Sequence, residues 1–387
     1  MLLNISLAFY TMMRDYGTLL LFMRILLLSP YDAMSHRYWH EGLVKHCINH
    51  DFTVVTLPAR YFSWRFRGNS LSLAFDGRLA GPWDLVLATS MTDLSALVGM
   101  RPELATCRRL LYFHENQFAY PTLGDPKHQV ERQITSLYSA LSADQLIFNS
   151  AFNRTSFLLG VEKLLARLPD QVPAGIVEKL RQQSTLQPVP LYDDCFERMS
   201  KLSAENDQPL SVRTPRLAIV WNHRWEYDKG VDALQRLVIA MLASKLDFEF
   251  HLIGQSFRSV PPALQQVKLM LEEAGRLGVC GFIPARKDYL ALLARSHVVL
   301  STAIHEFQGV AVLEAVAAGC LPVVPDALAY QDFIPACWRY KDSPQALRML
   351  DKLARQLANQ ALPAAPRVLN LAWSHQQDQW EALLTSR

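Results

Sequence analysis

The chain has 387 residues, of which 50% are apolar and 19% are charged, and its 39 basic and 36 acidic residues leave a net charge of +3. This composition excludes a globally disordered chain, and so small a net charge does not by itself indicate nucleic-acid binding. A single hydrophobic core rarely serves a chain of this length, so two domains are expected.

The segment 1–22 is apolar, but Arg14 and Asp15 divide it into parts shorter than the roughly 20 residues of a membrane-spanning helix. It also lacks the charged start and the cleavage pattern of a secretory signal. We therefore expect a cytoplasmic protein without membrane insertion, with residues 1–22 as an extension upstream of Met23. The six cysteines are widely spaced and form no CxxC pair, so they do not predict a metal site.

Short apolar runs alternate with helical stretches in the first half of the chain. They read RILLLSP from 24, FTVVTLP from 52, DLVLATS from 84, RLLYFHEN from 109 and DQLIFNS from 144. Uninterrupted apolar runs are typical of strands that are covered on both faces of a parallel sheet. We therefore predict a Rossmann-like domain over residues 23–205, on the acceptor side of a cleft. Polar residues such as Ser29, Ser90 and Asn149 follow the strands and should face that cleft, where Asn149 is expected to bind the acceptor.

Two polar turns of this domain are candidate binding loops. SPYDAMSHRYWHEGL places Ser35 and His36 before the first predicted helix, where backbone N–H groups could meet a donor diphosphate, although Ser35 could also be only a helix cap. RLLYFHENQFAYP places His114, Glu115 and Asn116 at the end of a strand. We expect these three side chains to bind sugar hydroxyls or the acceptor, although a single histidine at a strand end is often structural.

The segment PARYFSWRFRG alternates cations with aromatic rings. Arg60, Arg65 and Arg67 are interleaved with aromatic residues that include Trp64. Aromatic and guanidinium stacking combined with phosphate contacts is a common way to bind unpaired RNA, so this segment could be an acceptor platform. An edge strand with its aromatics in the core and its arginines in solvent is the equally weighted alternative.

The strand pattern stops over about 165–215, where prolines accumulate, and then restarts. The second set of runs reads RLAIVWN from 216, EFHLIGQ from 249, GVCGFIP from 278, HVVLSTA from 297 and CLPVVPD from 320. This pattern predicts a second Rossmann-like domain over 215–362, which would bind the donor nucleotide. The segment 363–387 has helical spacing and is expected to pack across the domains. The predicted fold is thus α/β, with two parallel sheets that face a central cleft.

The first strand of the second half leads into a cationic loop. In RLAIVWNHRWEYDKG, Asn222, Arg224 and Lys229 follow the carboxyl end of the strand. The two cations could offset the negative charge that grows on a departing nucleoside diphosphate, without a metal ion. The alternative is that they pair as exposed ions with Glu226 and Asp228.

The stretch HEFQGVAVLEAVAAG carries two glutamates on a loop and the helix that follows it. Phe307, Gln308 and Gly309 are predicted to open the helix with free N–H groups that attract an anion, and glycine allows a close approach. Glu306 could hold a sugar and Glu314 a ribose. Glu306 could equally be a favourable charge at a helix start, whereas Glu314 lies on an apolar helix and requires a bound hydroxyl or a basic partner.

With these residues in view, the chain resembles the retaining glycosyltransferases of family 4, which have the GT-B fold, and within them the tRNA-queuosine alpha-mannosyltransferases. The segments that carry the resemblance are SPYDAMSHRYWHEGL, TLPARYFSWRFRG, ATSMTDL, YFHENQFAYP, IFNSAFNRTSFL, VWNHRWEYDKG and STAIHEFQGVAVLEAVAAGCLPVVP. Arg224, Lys229, Glu306 and Glu314 match the donor-binding positions of family 4, and His114 matches the position that contacts the transferred sugar.

The resemblance implies a GDP-mannose donor and an acceptor that is the cyclopentenediol of queuosine, at the wobble position of the tRNA for aspartate. It also implies retaining transfer without a metal or other cofactor. Three alternatives stay open on the residues alone. They are a GT-B transferase with another sugar nucleotide and a lipid, glycan or small-molecule acceptor, a nucleotide-sugar epimerase, and a catalytically silent tRNA-binding protein.

Overall fold

The computed structural model describes residues 22–120, 126–196, 216–256 and 260–386. The predicted extension up to residue 21 and the predicted domain boundary between 205 and 215 lie outside these ranges. The described residues form two six-stranded sheets in which all paired strands are parallel. The prediction of two Rossmann-like α/β domains is confirmed.

The N-terminal sheet has the strand order β2-β1-β3-β4-β5-β6. Its strands are β1 (Arg24–Asp32), β2 (Asp51–Pro58), β3 (Leu85–Thr89), β4 (Arg108–Phe113), β5 (Gln145–Phe148) and β6 (Ser184–Leu186). Its helices are α1 (Met34–His46), α2 (Phe62–Ala74), α3 (Leu94–Met100), α4 (Pro126–Leu141), α5 (Ala151–Leu165) and α6 (Ile176–Gln182). The chain leaves β1 to one side for β2 and then crosses to β3 on the other, so the topological switch lies between β1 and β3.

The C-terminal sheet has the order β12-β11-β10-β7-β8-β9. Its strands are β7 (Leu217–Asn222), β8 (Phe248–Ile253), β9 (Leu277–Gly281), β10 (Val298–Leu300), β11 (Leu321–Pro325) and β12 (Arg339–Tyr340). The helices that follow are α7 (Val231–Ala243), α8 (Pro262–Glu273), α9 (Arg286–Arg295), α10 (Val310–Ala317), α11 (Tyr330–Phe333), α12 (Ser343–Ala358) and α13 (Trp373–Thr385). The switch of this sheet lies between β7 and β10.

Each sheet is covered on both faces, which explains why its strands read as uninterrupted apolar runs. In β1, Leu26 and Leu28 belong to one core cluster, whereas Ile25 and Leu27 belong to another on the opposite face. This second cluster includes Trp373, Trp380 and Leu384, so helix α13 packs on the N-terminal sheet. The C-terminal sheet likewise separates two clusters of buried residues.

Two details differ from the sequence prediction. The arginine-aromatic segment is not the edge strand of the alternative interpretation, because residues from Phe62 onward form helix α2. The strands β6 and β12 were not predicted, since they have three and two residues and carry no apolar run. Within the described ranges, we find no helix with the length and apolarity that a membrane crossing requires.

Candidate active site

A buried ion pair joins the loops that follow the two strands at the C-terminal switch. Lys229 lies in the loop after β7, and Glu306 lies in the loop after β10. The Nζ atom of Lys229 is 3.1 Å from Oε2 of Glu306 and 3.1 Å from Oδ2 of Asp228, and it donates to the carbonyl oxygen of His305. In open α/β sheets, ligands bind beyond the carboxyl ends of strands at such a switch.

Gly230 allows these two loops to approach each other. Its φ of +67° lies in the left-handed region, and a Cβ atom there would stand 1.8 Å from the carbonyl oxygen of Thr302. The hydroxyl of Thr302 donates to the carbonyl oxygen of Lys229 and accepts from Nε1 of Trp221. A glycine is therefore required to place Lys229 against the loop of Glu306.

The electrostatics of the pair favour an ionised carboxylate. Burial alone would raise the pKa of Glu306, but the neighbouring positive charges, above all that of Lys229, and the hydrogen bond from Lys229 together outweigh it and hold the pKa at about 2. Two neighbouring imidazoles are kept neutral, because burial and the charge of Lys229 lower the pKa of His223 to about 3 and that of His305 to about 4. The site thus combines fixed charges with neutral hydrogen-bonding rings.

Arg224 provides a second cation, which shares the carboxylate of Asp228 with Lys229. Its guanidinium lies 2.9 Å from Glu226 and 3.7 Å from Asp228, and its side chain is half-exposed. These two carboxylates are the partners expected if the cations of this loop were only exposed ion pairs. However, Lys229 and Asp228 are buried, so only Arg224 and Glu226 resemble exposed ions.

Helix α10 begins later than predicted. Its first residue is Val310, and Gly309 is its N-cap with a φ of +81°, so Phe307 lies in the loop before the helix. Phe307 is buried and packs edge-on against the ring of His305. Among the described residues, no hydrogen-bond acceptor is found for the N–H groups of 310–312, which stand at the positive end of the helix dipole.

The donor contact predicted for Gln308 was through its backbone N–H group, and its side chain is held by another part of the chain. Gln308 is buried, and its side-chain amide pairs with the backbone of Val189 in the N-terminal half of the chain. Its Oε1 accepts from the N–H of Val189 at 2.8 Å, while its Nε2 donates to the carbonyl oxygen of the same residue at 2.8 Å. Gln308 therefore joins the segment after β6 to the loop between β10 and α10.

Glu314 has the basic partner that its burial requires. Its Oε1 lies 3.0 Å from Nη1 of Arg286, and its Oε2 accepts from the hydroxyl of Tyr289 at 2.8 Å. Arg286 also forms a bidentate ion pair with Asp194, in which Nε and Nη2 each donate to one carboxylate oxygen at 2.7 Å. The amide of Asn222 donates to Tyr289 at 2.7 Å, which makes Asn222 and Glu314 parts of one network beneath the start of α10.

In the N-terminal domain, His36 and His114 form a stacked pair. Their ring centroids lie 4.2 Å apart, and Nε2 of His36 is 3.2 Å from Oε2 of Glu115. Burial and the neighbouring His36 and His40 lower the pKa of His114 well below its usual value. Within the described part of the chain, Nδ1 of His36 and Nε2 of His114 are buried without a hydrogen-bond partner. Buried polar atoms are normally paired, so these two atoms are candidates to bind a polar ligand.

Ser35 and His36 lie in the first turn of α1 rather than before it. The helix begins at Met34, its N-cap is Ala33, and no side chain caps it, so the alternative role of Ser35 as a cap is also wrong. Ser35 is exposed at this helix start, where it remains available to a ligand.

Asn116 and Asn149 support the loop of His114 instead of facing an acceptor. The amide nitrogen of Asn149 donates to the carbonyl oxygen of His114, and that of Asn116 contacts Asn153 and Ser156. Oδ1 of Asn116 accepts two backbone N–H groups, and both asparagines are buried. Their predicted acceptor contacts are therefore wrong, because their polar atoms are already paired.

The four predicted acceptor residues of the arginine-aromatic segment lie around the start of α2. Arg60 and Trp64 are exposed, and Arg65 is half-buried. Arg67 is exposed, but its Nη1 donates to the hydroxyl of Thr135 at 2.8 Å. The ring of Phe62 in this segment packs edge-on against Tyr31, whose ring centroid is 5.5 Å away.

Sequence reasoning gave no role to His305 or Arg286. The ring of His305 packs at 4.9 Å against that of Tyr120, which belongs to the opposite domain, and its Nε2 has no partner among the described residues. Its position directly before Glu306 was the available signal. Arg286 could not have been found, because its partners are 92 and 28 residues away in the sequence.

Two family models match the sequence. Residues 24–191 match the N-terminal region of tRNA-queuosine alpha-mannosyltransferase, and residues 214–337 match the glycosyl transferases group 1. A relative from Drosophila melanogaster named tRNA-queuosine alpha-mannosyltransferase is 30% identical over 332 residues, which cover 86% of this chain and 87% of the relative.

Solved structures share the fold. Anabaena HepE in complex with UDP and glucose aligns with a TM-score of 0.63 at 14% identity, over 94% of this chain and all of that one. A UDP-forming trehalose-phosphate synthase of Burkholderia xenovorans aligns with a TM-score of 0.60 at 14% identity, over 94% of this chain and 98% of that one. These matches confirm the GT-B architecture. The protein is a glycosyltransferase, and the chain belongs to the tRNA-queuosine alpha-mannosyltransferase family.

Proposed function

We propose that this protein transfers mannose from GDP-mannose to queuosine at the wobble position of the tRNA for aspartate. The name of the Drosophila melanogaster relative, which aligns along most of the chain, supports this acceptor and this sugar. The observation that carries the transferase site is the ion pair of Lys229 with Glu306, which stands at the switch point of the C-terminal sheet. An enzyme that acts on tRNA in this way is expected in the cytoplasm.

The donor diphosphate lies between the cations and the start of α10. When the bond between the anomeric carbon and the diphosphate breaks, negative charge grows on the leaving oxygen. Lys229, Arg224 and the N–H groups at 310–312 are fixed before the reaction and offset that charge. We propose that transfer needs no metal ion, because these groups supply the positive charge.

The transfer retains the configuration at the anomeric carbon. The acceptor hydroxyl attacks on the face from which the diphosphate departs, its oxygen bonds to the anomeric carbon, and its proton passes to the departing diphosphate. No side chain acts as a nucleophile. Glu306 and the neutral ring of His114 accept or donate hydrogen bonds to the sugar and hold it in a reactive geometry.

The ribose of the donor binds near Glu314. Its Oε1 already accepts from Arg286 and Cys195, whereas its Oε2 accepts from Tyr289 and has a further lone pair for a hydroxyl. Asn222 fixes Tyr289 and so keeps Glu314 in place. Ser35 and His36, at the start of α1, complete the donor site from the opposite domain.

The acceptor RNA lies along the rim formed by the start of α2. Arg60, Arg65 and Arg67 offer charges to phosphates, and the half-exposed ring of Trp64 offers a stacking surface. Glu115, which is held by His36, lies nearest to the sugar and receives the diol of the acceptor.

The test is transfer from radiolabelled GDP-mannose to purified tRNA, with and without queuosine, followed by mass analysis of the nucleosides. We expect hexose on queuosine alone, unchanged yields in EDTA, and a product that α-mannosidase removes. Transfer to tRNA without queuosine, or transfer from UDP-glucose at the same rate, would contradict the proposal. Conversion of the donor in the absence of any acceptor would instead indicate an epimerase.

A further inference from the structure

We propose that a cavity on the helical face of the N-terminal domain binds an unpaired nucleobase next to the modified nucleotide of the acceptor RNA. This inference rests on the proposed function and adds a second recognition site to it. The cavity has a volume of about 460 Å³, within the usual range for small-ligand sites. It lies between α2, α3 and α4 and is lined by Arg67, Asp93, Ser95, Ala96, Glu131, Ile134, Thr135 and Tyr138.

The chemistry of the lining suits a planar heterocycle. Ala96 and Ile134 give an apolar surface, and the ring of Tyr138, which is 56% exposed, stands at its edge. A nucleobase needs an apolar or aromatic surface for its face and hydrogen-bonding groups for its edge. The guanidinium of Arg67 and the hydroxyl of Ser95 supply polar groups to the same cavity.

Hydrogen bonds within the protein hold one donor group, the guanidinium of Arg67, and one acceptor group, the carboxylate of Asp93. The guanidinium of Arg67 is held by Thr135 at 2.8 Å through one nitrogen, which leaves its other N–H groups for a ligand. The carboxylate of Asp93 is oriented by Ser95 and by the N–H of Ala96. A cation and a carboxylate that line one cavity match a base edge that presents both acceptors and donors, as guanine does.

The cavity is close to the loop of His114 and Glu115. Asp93 comes three residues after Ser90, whose hydroxyl donates to the carbonyl oxygen of Glu115 at 2.9 Å. Three residues span at most about 11 Å. Arg67 also follows Trp64 by three positions on α2, so the cavity continues the proposed RNA rim on one side of that helix. A nucleotide that flanks the modified one can therefore reach the cavity.

Buried hydrogen bonds make the cavity rigid. Asn69 of α2 is fully buried, and its Oδ1 accepts from the N–H of Asp93 at 3.1 Å. The hydroxyl of Ser70 donates to the carbonyl oxygen of Asp93 at 2.6 Å. Helix α2 is thus locked to the start of α3, and a site that is ordered before binding loses less entropy when the base enters.

The experiment measures the affinity of a fluorescent anticodon stem-loop that contains queuosine, by anisotropy. A matched series replaces each unpaired loop nucleotide in turn by an abasic one. Each RNA is tested with the wild-type protein, with Tyr138→Ala, with Tyr138→Phe, and with Phe75→Ala. Phe75 is 83% exposed at the far end of α2 and is the control.

We expect the abasic change at one position beside queuosine to weaken wild-type binding about tenfold, the usual size of a stacking contact. Tyr138→Ala should bind the intact loop about tenfold more weakly and lose nothing further at that position, whereas Tyr138→Phe and Phe75→Ala should behave as wild type. Equal binding by Tyr138→Ala, or losses that multiply at every position, would overturn the inference. A wild-type protein that binds the loop but transfers no mannose to it would contradict the proposed function instead, and an intact loop that does not bind would contradict both.

Discussion

The Nζ atom of Lys229 and the Oε2 atom of Glu306 lie 3.1 Å apart, although the two residues are separated by 77 positions in the sequence. Lys229 also contacts Asp228 at the same distance, so one buried ammonium balances two carboxylates of low exposure. The strands β7 and β10 bring the two loops together because they are neighbours at the switch of the sheet. The ion pair is therefore both a structural contact and the charge centre of the site.

Replacement of Lys229 by alanine should reduce both turnover and stability. Turnover loses the charge that stabilises the leaving group, which corresponds to about 3 kcal/mol or roughly a hundredfold in kcat. Stability should fall by about 3–5 kcal/mol, because the carboxylates of Asp228 and Glu306 stay buried without their counter-ion. Steady-state kinetics and urea unfolding measure the two effects separately.

Arg224→Ala is the matched comparison for Lys229→Ala. It should cost a similar factor in kcat, but its half-exposed ion pair with Glu226 should contribute at most about 1 kcal/mol to stability. The double variant Lys229→Met/Glu306→Gln removes both charges of the central pair and should recover part of the lost stability without activity. Wild-type turnover in either single variant would show that these cations do not act on the leaving group.

The buried imidazole of His305 should make the protein less stable in mild acid. Its pKa is lowered to about 4 in the folded protein, while the unfolded chain has a value near 6.5. Between these values the unfolded state binds one more proton, so the free energy of unfolding should fall by about 1.4 kcal/mol per pH unit as the pH drops. His223, with a pKa of about 3, acts in the same direction over a wider range.

Glu306 should contribute to acid lability only at lower pH. Its folded pKa of about 2 is below the unfolded value of 4.5, so its stabilisation is complete above pH 4.5 and is lost as the pH falls toward 2. Urea unfolding at pH 7, 6 and 5 therefore isolates the histidines. His305→Gln should reduce the slope by about one proton, and the same change at the exposed His375 should not; an unchanged slope in His305→Gln would refute the assignment.

Gln308→Ala should weaken the join between the two halves of the chain rather than donor binding. The variant leaves the N–H and the carbonyl oxygen of Val189 without partners in a buried place, at about 1–3 kcal/mol for each group. Unfolding should show this loss, whereas calorimetry should give a Kd for the nucleotide within a few-fold of wild type. Gln265→Ala on the exposed face of α8 is the control, and a large loss of nucleotide affinity in Gln308→Ala would show that the side chain of Gln308 contributes to donor binding.

Charge reversal at Arg65 and Arg67 should weaken binding of tRNA and leave the donor site intact. Each cation that contacts a phosphate contributes about one unit to the dependence of binding on salt, so the double variant should bind more weakly and with a smaller salt slope. Arg355→Glu on α12 is an exposed control in the other domain. If transfer to tRNA at physiological salt is unchanged in Arg65→Glu/Arg67→Glu, the RNA rim lies elsewhere.

Most of the fold could be predicted from the sequence, because buried parallel strands impose a simple pattern. Every run without polar interruption became a strand, since residues such as Ile25 and Leu26 enter cores on opposite faces of the sheet. Short strands such as β6 have no such run and were missed. Helix α2 was not predicted, because its aromatic residues also suit an edge strand, while the buried bond of Asn69 to Asp93 depends on a distant loop.

The site was predictable where function follows strand ends and unpredictable where it depends on long-range pairing. Lys229 and Glu306 follow β7 and β10, so their convergence followed from topology. By contrast, Asn116 and Asn149 are also polar residues after strands, and only their contacts show that they brace a loop. A bound hydroxyl or a basic partner was expected for Glu314. The sequence could not identify Arg286 as that partner, because the two residues are not close in the sequence.

Glu306→Gln and Glu314→Gln should have different kinetic consequences although the two glutamates share one loop and helix. Glu306 touches the charge centre, so its variant should lose turnover by about a hundredfold with little change in nucleotide affinity. Glu314 lies deeper, against Arg286 and Tyr289, and its variant should weaken GDP binding while kcat at saturating donor stays near wild type. Arg286 keeps its two bonds to Asp194 in that variant, so the stability of Glu314→Gln should fall only modestly. Calorimetry with GDP and kinetics with saturating donor measure the two quantities; equal losses of kcat and of GDP affinity in both variants would contradict the separate roles of sugar and ribose contact.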